Sequence, residues 1–213
     1  MRTVPEYGSL KDRLHQHKKI AAIKKPKDIE KVIEYRDRIS AVFLVTGNII
    51  TIKKYVEELR KYGLPSFVHI EKIGGLSLDK DGLDLVARYV RPLGIVTTKP
   101  KLLNKAKKRG LLTIQRVFLI DSEVYDHVCE IVESNYPDYI EIMPSRLPAL
   151  IKEISKQVSI PIITGGLLSE KEHALQALEN GAQAVSTSNP SVWKEVLNSS
   201  QIDKKENNIL RQD

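Results

Sequence analysis

Residues 160–187 read IPIITGGLLSEKEHALQALENGAQAVST, and this stretch decides the fold. It begins with a β-branched run, Ile160–Thr164, and ends with a second short apolar run, Ala182–Thr187. A segment of helical period lies between them, and Ser169 with Glu172 three residues later predicts a capping box at its start. Two buried strands joined by an amphipathic helix form a βαβ unit, in which the strands are parallel.

The same alternation of short strand and amphipathic helix occurs eight times along the chain. The predicted strands are Ile20–Ile23, Ala41–Val45, Pro65–Ile70, Gly94–Thr98, Leu112–Val117, Asp138–Met143, Ile160–Thr164 and Ala182–Thr187. Eight such units favour a closed barrel over an open doubly wound sheet. The chain has 213 residues, just above the lower limit of roughly 200 for this fold. We therefore predict an α/β protein, a single (β/α)8 TIM-type barrel of near-minimal length over residues 1–197. The polar tail, 198–213, is expected to be frayed or disordered.

The composition is typical of a globular protein from a reducing compartment. Hydrophobic residues make up 41% of the chain, which is enough for a sizeable core. No apolar run reaches the roughly 18 residues of a membrane helix, and the polar segment Met1–Lys19 lacks the apolar part of a secretory signal. The single cysteine, Cys129, cannot form an internal disulfide. These features predict a cytoplasmic protein.

The charge is unevenly distributed along the chain. Residues 1–110 hold 25 basic and 12 acidic residues, a net charge of +13, whereas residues 111–213 hold 9 basic and 15 acidic residues, a net charge of −6. A basic half suggests a polyanionic partner. Composition alone is explained more simply by a lysine-rich surface in solvent.

One dense basic cluster lies on and around the predicted fourth helix. Its members that we take as candidates for RNA binding are Lys101, Lys105, Lys107, Lys108 and Arg109. Such clusters attract phosphate backbones without reading bases. The chain has no aromatic motif of the ribonucleoprotein type for stacking single-stranded bases. The sequence therefore permits RNA binding without demonstrating it.

Two loops are predicted to hold a phosphate group. In (β/α)8 barrels the ligand lies at the carboxyl ends of the strands, and its phosphate often rests on the loops after strands seven and eight. Gly165 and Gly166 follow the predicted seventh strand, Thr187 ends the eighth, and Ser188 follows it. Paired glycines let backbone N–H groups approach phosphate oxygens, and the hydroxyls add donors. The alternative is that the two glycines only form a tight turn.

Other polar residues at the strand ends are candidates for contact with the rest of a ligand. His69 with Glu71 would suit general acid–base chemistry, or His69 could be a satisfied histidine that lines the barrel. Arg116 and Glu141 lie on adjacent predicted strands, where a charge is costly unless it is paired or faces the mouth. They could contact a ligand or form a structural ion pair. No spacing of metal ligands is visible, so we expect neither a metal nor a cofactor.

Several strings resemble the glycerol-3-phosphate-responsive antiterminator family, whose members are bacterial regulators of glycerol uptake operons. The similar strings are FLVTGNI at 43–49, TTK at 97–99, IQRVFLIDS at 114–122, PDYIEIMP at 137–144, TGGL at 164–167 and STSN at 186–189. The resemblance extends from about Ile20 to Trp193.

This resemblance implies a barrel that senses glycerol 3-phosphate and then acts on leader mRNA, so that transcription passes a terminator. It places Thr46, His69, Arg116 and Glu141 around the small ligand, and Glu71 is a further candidate for the same contacts. It assigns the phosphate to Gly165, Gly166, Thr187 and Ser188. The implied partners are leader mRNA and a small phosphorylated ligand, without a membrane, and the sequence does not reveal the oligomeric state.

The chain departs from the family pattern at the mouth. Glu71 stands where the pattern has Asp, so that its carboxylate lies one methylene further out, and Lys72 replaces an apolar residue. Ser145 stands where the pattern has Gly. A second function is compatible with the fold: an isomerase, aldolase or lyase acting on a small phosphorylated substrate. For a Schiff-base mechanism the nearest lysines are Lys72 and Lys99, and neither lies within a predicted strand.

Overall fold

The computed structural model describes residues 9–197, apart from the side chains of residues 127, 129, 131, 133 and 135. Eight parallel strands close into a barrel in chain order. They are β1 (Lys19–Ile23), β2 (Ala41–Leu44), β3 (Ser66–His69), β4 (Gly94–Thr97), β5 (Leu112–Phe118), β6 (Tyr139–Met143), β7 (Ile162–Gly165) and β8 (Ala184–Thr187). β1 pairs with β8, with Ile20 opposite Ser186. The predicted (β/α)8 fold is therefore confirmed. The predicted tail, 198–213, and residues 1–8 lie outside the described part of the chain.

Helices surround the barrel and connect its strands. They are α1 (Leu10–His17), α2 (Asp28–Glu34), α3 (Ile52–Lys61), α4 (Lys80–Asp84), α5 (Pro100–Lys107), α6 (Ser122–Asn135), α7 (Pro148–Gln157), α8 (Lys171–Glu179) and α9 (Pro190–Trp193). A π-helical segment, Leu85–Val90, continues α4. Within residues 9–197 no helix has the length and apolar character that a membrane crossing requires.

The side chains of each strand alternate between the barrel interior and the layer of helices. Val42 and Val68 pack outward into one cluster with the helices, whereas their neighbours Phe43 and Phe67 pack inside the barrel. The rings of these two phenylalanines meet edge to face, with their centroids 5.8 Å apart. Side chains fill the interior at the amino ends and the middle of the strands. A ligand can therefore enter only at the carboxyl ends of the strands.

α1 closes the opposite end of the barrel, and the sequence did not predict it. Its one fully buried apolar residue, Leu14, packs among the interior side chains. Arg13 fixes the helix by donating from Nε to the carbonyl of Ser40 at 2.9 Å and from a terminal nitrogen to that of Ile39 at 2.7 Å. A single buried residue leaves no helical period in a polar segment, which explains the omission.

Two helix starts differ in how they are capped. Asp121 caps α6, because its carboxylate accepts a hydrogen bond from the Val124 amide at 2.9 Å. The predicted capping box of Ser169 and Glu172 is wrong. α8 begins at Lys171, one position later than a cap at Ser169 would require, and no side chain caps it. The Ser169 hydroxyl instead lies 3.5 Å from Nδ1 of His173.

Candidate functional site

The innermost polar group of the barrel mouth is a buried network on β5, β6 and β8. Parallel pairing sets Arg116 of β5 opposite Glu141 of β6. Arg116 donates from Nε to one oxygen of Glu141 at 2.7 Å, and the Ser186 hydroxyl donates to the other at 2.6 Å. Glu141 is fully buried. Of the two alternatives raised by the sequence, the ion pair therefore exists, and both carboxylate oxygens of Glu141 are occupied by protein groups.

Arg116 keeps part of its guanidinium available. Within the described part of the chain its only hydrogen bond is the one from Nε. Since the terminal nitrogens of a guanidinium carry four more N–H donors, Glu141 orients Arg116 without saturating it. An oriented arginine with unused donors suits a carboxylate, phosphate or hydroxyl ligand.

Gly165 is required by space rather than by backbone conformation. A Cβ atom at this position would lie 2.1 Å from the Ser186 hydroxyl and 3.1 Å from Oε1 of Glu141. The end of β7 is therefore pressed against the buried network. This close approach places the turn at Gly166, which has a φ of +77°, at the open edge of the network.

A small pocket of about 90 Å³ opens beside this network. It is lined by Ala22, Lys24, Met143, Gly166, Leu167, Leu168, Ser186, Thr187 and Ser188. The structure thus brings together three of the four predicted phosphate residues, while Gly165 lies directly behind Ser186. The volume is far below the roughly 300–1,000 Å³ of a drug-sized site. It suits a compact group such as a phosphate. A wider, open cavity of about 650 Å³ adjoins it at Leu167, Leu168 and Ser188, and its other lining residues are Arg146, Ser169 and Asn189.

Lys24 is the one cationic residue that lines this pocket, and the sequence analysis did not assign it to the site. It lies directly after β1, which neighbours β8 only because the barrel closes. The predicted closed barrel contains this information, because β1 and β8 are neighbours when the barrel closes. The residues that follow these two strands then lie at the same pocket. An ammonium group supplies the charge that backbone amides and hydroxyls lack.

The two loops beside the pocket are tied to each other. The Thr187 hydroxyl donates to the Leu168 carbonyl at 3.0 Å, and the Asn189 amide group donates to the Ser169 carbonyl at 2.7 Å. The hydroxyl hydrogen of Thr187 is therefore used within the protein. The Ser188 side chain makes no hydrogen bond with the described residues, and it is the hydroxyl left for a ligand.

Ser145, the departure from the family pattern after β6, supports the same loop. Its hydroxyl donates to the Gly166 carbonyl at 2.7 Å, and its backbone amide donates to the same oxygen at 3.2 Å. Ser145 is buried. The extra hydroxyl therefore binds the turn after β7 from behind and does not occupy the pocket.

Glu71, the other departure, fastens β3 to β4. Its Oε1 accepts from the Thr98 amide at 3.0 Å and from the Thr97 hydroxyl. Its Oε2 lies 3.0 Å from Nδ1 of His69, at an angle outside hydrogen-bond geometry. His69 is buried at the end of β3. The structure thus brings His69 and Glu71 together, while Thr46 follows β2 half-buried and does not line the pocket.

These contacts predict a specific acid sensitivity. Burial by itself raises the pKa of Glu71, but the contacts with His69 and Thr97 outweigh it and lower the pKa from 4.5 to about 2. Because folding favours the ionised form, the stabilisation is complete above pH 4.5 and is lost as the pH falls towards 2. We expect Glu71→Gln to lower the free energy of unfolding by about 1–3 kcal/mol at pH 7 and to flatten its decline between pH 4.5 and 2. Urea unfolding at pH 7, 4 and 3 measures both effects.

The exposed Glu30 of α2 provides the control for this experiment. Glu30→Gln should reproduce the wild-type dependence on pH. A Glu71→Gln variant whose stability falls in parallel with that of the wild type between pH 4.5 and 2 would contradict the interpretation.

Two of the five basic candidates for RNA binding are engaged within the fold. Nζ of Lys107 lies 3.5 Å from a carboxylate oxygen of Asp138. Arg109 donates from Nε to the carboxylate of Asp84 at 2.8 Å, and its side chain is only 17% exposed. The other three candidates are exposed, namely Lys101, Lys105 and Lys108. The basic surface of α5 is thus smaller than the sequence indicates.

Comparisons with known proteins agree with this architecture. A family model described as "Glycerol-3-phosphate responsive antiterminator" matches residues 19–193. The uncharacterized protein YgcP of Escherichia coli (strain K12) is 30% identical over 180 residues, which cover 84% of this chain and 93% of YgcP.

Two solved structures are similar in both fold and sequence. The glycerol uptake operon antiterminator regulatory protein from Listeria monocytogenes str. 4b F2365 is 29% identical, with a TM-score of 0.75 over 83% of this chain and 94% of that one. A glycerol uptake operon antiterminator-related protein from Thermotoga maritima MSB8 is 27% identical, with a TM-score of 0.74 over 84% of this chain and 99% of that one. The family match covers most of the chain, from β1 to α9, so the chain belongs to the glycerol-3-phosphate responsive antiterminator family.

Proposed function

We propose that this protein is a regulator that binds glycerol 3-phosphate at the carboxyl-terminal mouth of its barrel and acts on the leader mRNA of a glycerol uptake operon. The observation that carries the ligand assignment is the small pocket beside Gly166, with Lys24 as its cation. The family assignment supports the regulatory role. Such a role places the protein in the cytoplasm, where leader transcripts are made.

The phosphate group belongs in the pocket between the loops after β7 and β8. Lys24 offers an ammonium group, Ser188 offers a free hydroxyl, and the positive φ of Gly166 turns the backbone at the pocket wall. Charge-assisted hydrogen bonds of this kind contribute roughly 1.5–3 kcal/mol each. Lys24 therefore supplies the largest single share of phosphate affinity.

The glycerol hydroxyls belong towards the centre of the mouth, beside Arg116. Its terminal nitrogens carry oriented donors that the buried network does not use. His69 and Glu71 lie at the end of β3, and Thr46 follows β2, at the same mouth of the barrel. We place the hydroxyl contacts of the ligand among these four residues, with Glu141 acting indirectly because it holds Arg116 in position.

The second candidate, a barrel enzyme, is favoured by the contact of His69 with Glu71, but both glutamates of the mouth are already engaged by protein donors. Glu141 is occupied by Arg116 and Ser186, and Glu71 by Thr97 and Thr98. Lys19, the lysine within a described strand, donates from Nζ to the carbonyl of Glu195, away from the mouth. We therefore propose binding without turnover. Glycerol 3-phosphate should remain unchanged by ³¹P NMR after prolonged incubation with the protein, and a new phosphorus signal would identify an enzyme.

The ligand assignment is tested by replacing single lysines by alanine and measuring the binding of glycerol 3-phosphate. Glycerol 3-phosphate should raise the Tm in a concentration-dependent way, since a ligand at 100 times its Kd adds about 2.7 kcal/mol of stability. Lys24→Ala should weaken binding about tenfold to a hundredfold, because it removes one charge-assisted contact. Titration calorimetry measures the Kd, with glycerol and inorganic phosphate as separate ligands.

Lys25 is the matched control, since it adjoins Lys24 on the same exposed loop but does not line the pocket. Lys25→Ala should bind glycerol 3-phosphate as the wild type does. Equal losses in the two variants would show a general effect of charge and would reject the pocket as the phosphate site. The same conclusion follows if millimolar glycerol 3-phosphate leaves the Tm of the wild-type protein unchanged.

A further inference from the structure

The rim of the barrel mouth carries a marked excess of positive charge. We define the rim as the last residue of each of the eight described strands with the three residues that follow it. It contains five basic side chains and two carboxylates, namely Lys24, Lys25, Lys72, Lys99 and Arg146 against Glu71 and Asp121. These residues come from five of the eight strand–helix loops, so only the closed barrel assembles them.

Both carboxylates of the rim accept hydrogen bonds from groups within the protein. Glu71 accepts from Thr97 and Thr98, and Asp121 accepts from the first turn of α6. The four rim lysines are exposed and make no ion pair with the described residues. An anionic partner would therefore meet lysines whose charge is not already compensated.

The same rim exposes large apolar side chains. Phe118, the last residue of β5, is 47% exposed, Ile120 is 77% exposed, and Leu167 is 72% exposed. Exposed apolar groups within a charged surface are typical of an interaction site. A surface that combines lysines with an aromatic ring matches single-stranded nucleic acid, since bases stack on aromatic side chains while lysines follow the backbone.

We propose that the rim, with Phe118 as a stacking platform, is the surface that binds single-stranded leader RNA. This inference rests on the proposed function and names the surface on which that function acts. A second copy of this chain fits the rim less well, because two such faces would bring their lysines together. A double-stranded segment would use the lysines but would leave Phe118, Ile120 and Leu167 without a role.

This location joins the RNA to the effector. Leu167 belongs both to the rim and to the wall of the phosphate pocket, and Lys24 does as well. A bound phosphate would neutralise part of the charge of Lys24 and would order the loop that carries Leu167. Effector and RNA would therefore contact shared residues, which provides a physical route for one to change the affinity of the other. α5 shares no residue with the pocket.

Two charge reversals of equal size distinguish the rim from α5. Lys25→Glu with Lys99→Glu changes the rim, whereas Lys105→Glu with Lys108→Glu changes α5, and all four lysines are exposed. The probe is a fluorescein-labelled leader transcript of a glycerol uptake operon, measured by anisotropy with saturating glycerol 3-phosphate. The rim pair should weaken binding at least tenfold and lower the slope of log K against log salt by about 1.4, for two lost contacts with a single strand. The α5 pair should change the Kd less than threefold.

A third variant tests the apolar part of the rim. Phe118→Ala with Ile120→Ser should weaken RNA binding about tenfold, which corresponds to the loss of one stacked base. All three variants should keep the wild-type Tm shift with glycerol 3-phosphate, which shows that they are folded and bind the effector.

The outcomes separate the two proposals. Wild-type RNA binding that is lost in the α5 pair and kept in the rim pair would overturn the rim assignment while leaving the proposed function in place. A change of oligomeric state in the Phe118 and Ile120 variant, seen by light scattering, with unchanged RNA binding would overturn it as well, in favour of an interface between copies. If the wild-type protein binds no leader transcript at any effector concentration, the proposed function fails, and the rim assignment fails with it.

Discussion

Replacing Glu141 by Ala is expected to destabilise the protein by about 3–5 kcal/mol. The substitution leaves the Arg116 guanidinium, whose side chain is only 7% exposed, without its counter-charge, and breaking a buried pair from one side costs this much. The Ser186 hydroxyl also loses its acceptor. Because a domain of this kind is stable by about 5–15 kcal/mol, urea unfolding should show a large shift of the midpoint. Effector binding should be lost, since Arg116 is no longer oriented.

A double substitution separates the ion pair from the fold. Arg116→Met with Glu141→Met removes both charges and keeps comparable volume, and such replacements are often neutral or stabilising. The double variant should regain most of the stability that Glu141→Ala loses, yet it should not bind glycerol 3-phosphate. If Glu141→Ala lowers the free energy of unfolding by less than about 1 kcal/mol, Arg116 must be hydrated or paired elsewhere, and the ion pair is then not behaving as a buried pair.

Replacing Gly165 by Ala is expected to disturb both stability and ligand binding. The new methyl group would lie 2.1 Å from the Ser186 hydroxyl and 3.0 Å from the Ser186 carbonyl. The hydroxyl can rotate away from Glu141, but the carbonyl belongs to the pairing of β8 and can move only with the strand. Overpacking of this kind costs about 1–3 kcal/mol. Because Ser186 also lines the pocket, calorimetry should show that the variant binds the effector at least tenfold more weakly.

Gly63 and Ser186 supply the controls. Gly63 has a φ of +68°, and a Cβ added there would have nothing within 4 Å, so Gly63→Ala should reduce stability by about 1–2 kcal/mol through backbone strain without changing the Kd for the effector. Ser186→Ala added to Gly165→Ala removes the closest clash and should restore part of the stability. Wild-type affinity in Gly165→Ala would mean that β7 and β8 separate without cost, contrary to the close approach described above.

The fold was accessible from the sequence because its signals are local. A strand such as Ala41–Leu44 is a continuous apolar run, and a helix such as α3 repeats its buried residues Ile52, Val56 and Leu59 at helical spacing. Both periods are visible without any knowledge of partners. α1 was missed because it is a polar segment with one buried residue, and that residue is buried only where the helix covers the end of the barrel. The predicted capping box was wrong because Ser169 and Glu172 have the right spacing, but the helix does not begin at that spacing.

The candidate site was accessible only in part. Gly165, Gly166 and Ser188 follow from strand counting, and Arg116 with Glu141 from charges in buried strands. The position of Lys24 beside Ser188 was not assigned, because 164 positions along the chain separate them and only the closure of the barrel, through the pairing of β1 with β8, brings them together. The availability of the basic residues also depends on the fold, since Asp84 takes Arg109 and Asp138 takes Lys107.

By itself the sequence determined the eight strands, their order and the alternation of strand and helix, and therefore a barrel with its mouth at the strand ends. These properties depend on the backbone and on hydrophobic period, which act over neighbouring residues. Only the tertiary structure decided which charges remain free, which hydroxyls are used internally, and that the lysines and Phe118 form one rim. Those properties depend on distances between groups far apart in the chain, and such distances are fixed only when the barrel closes.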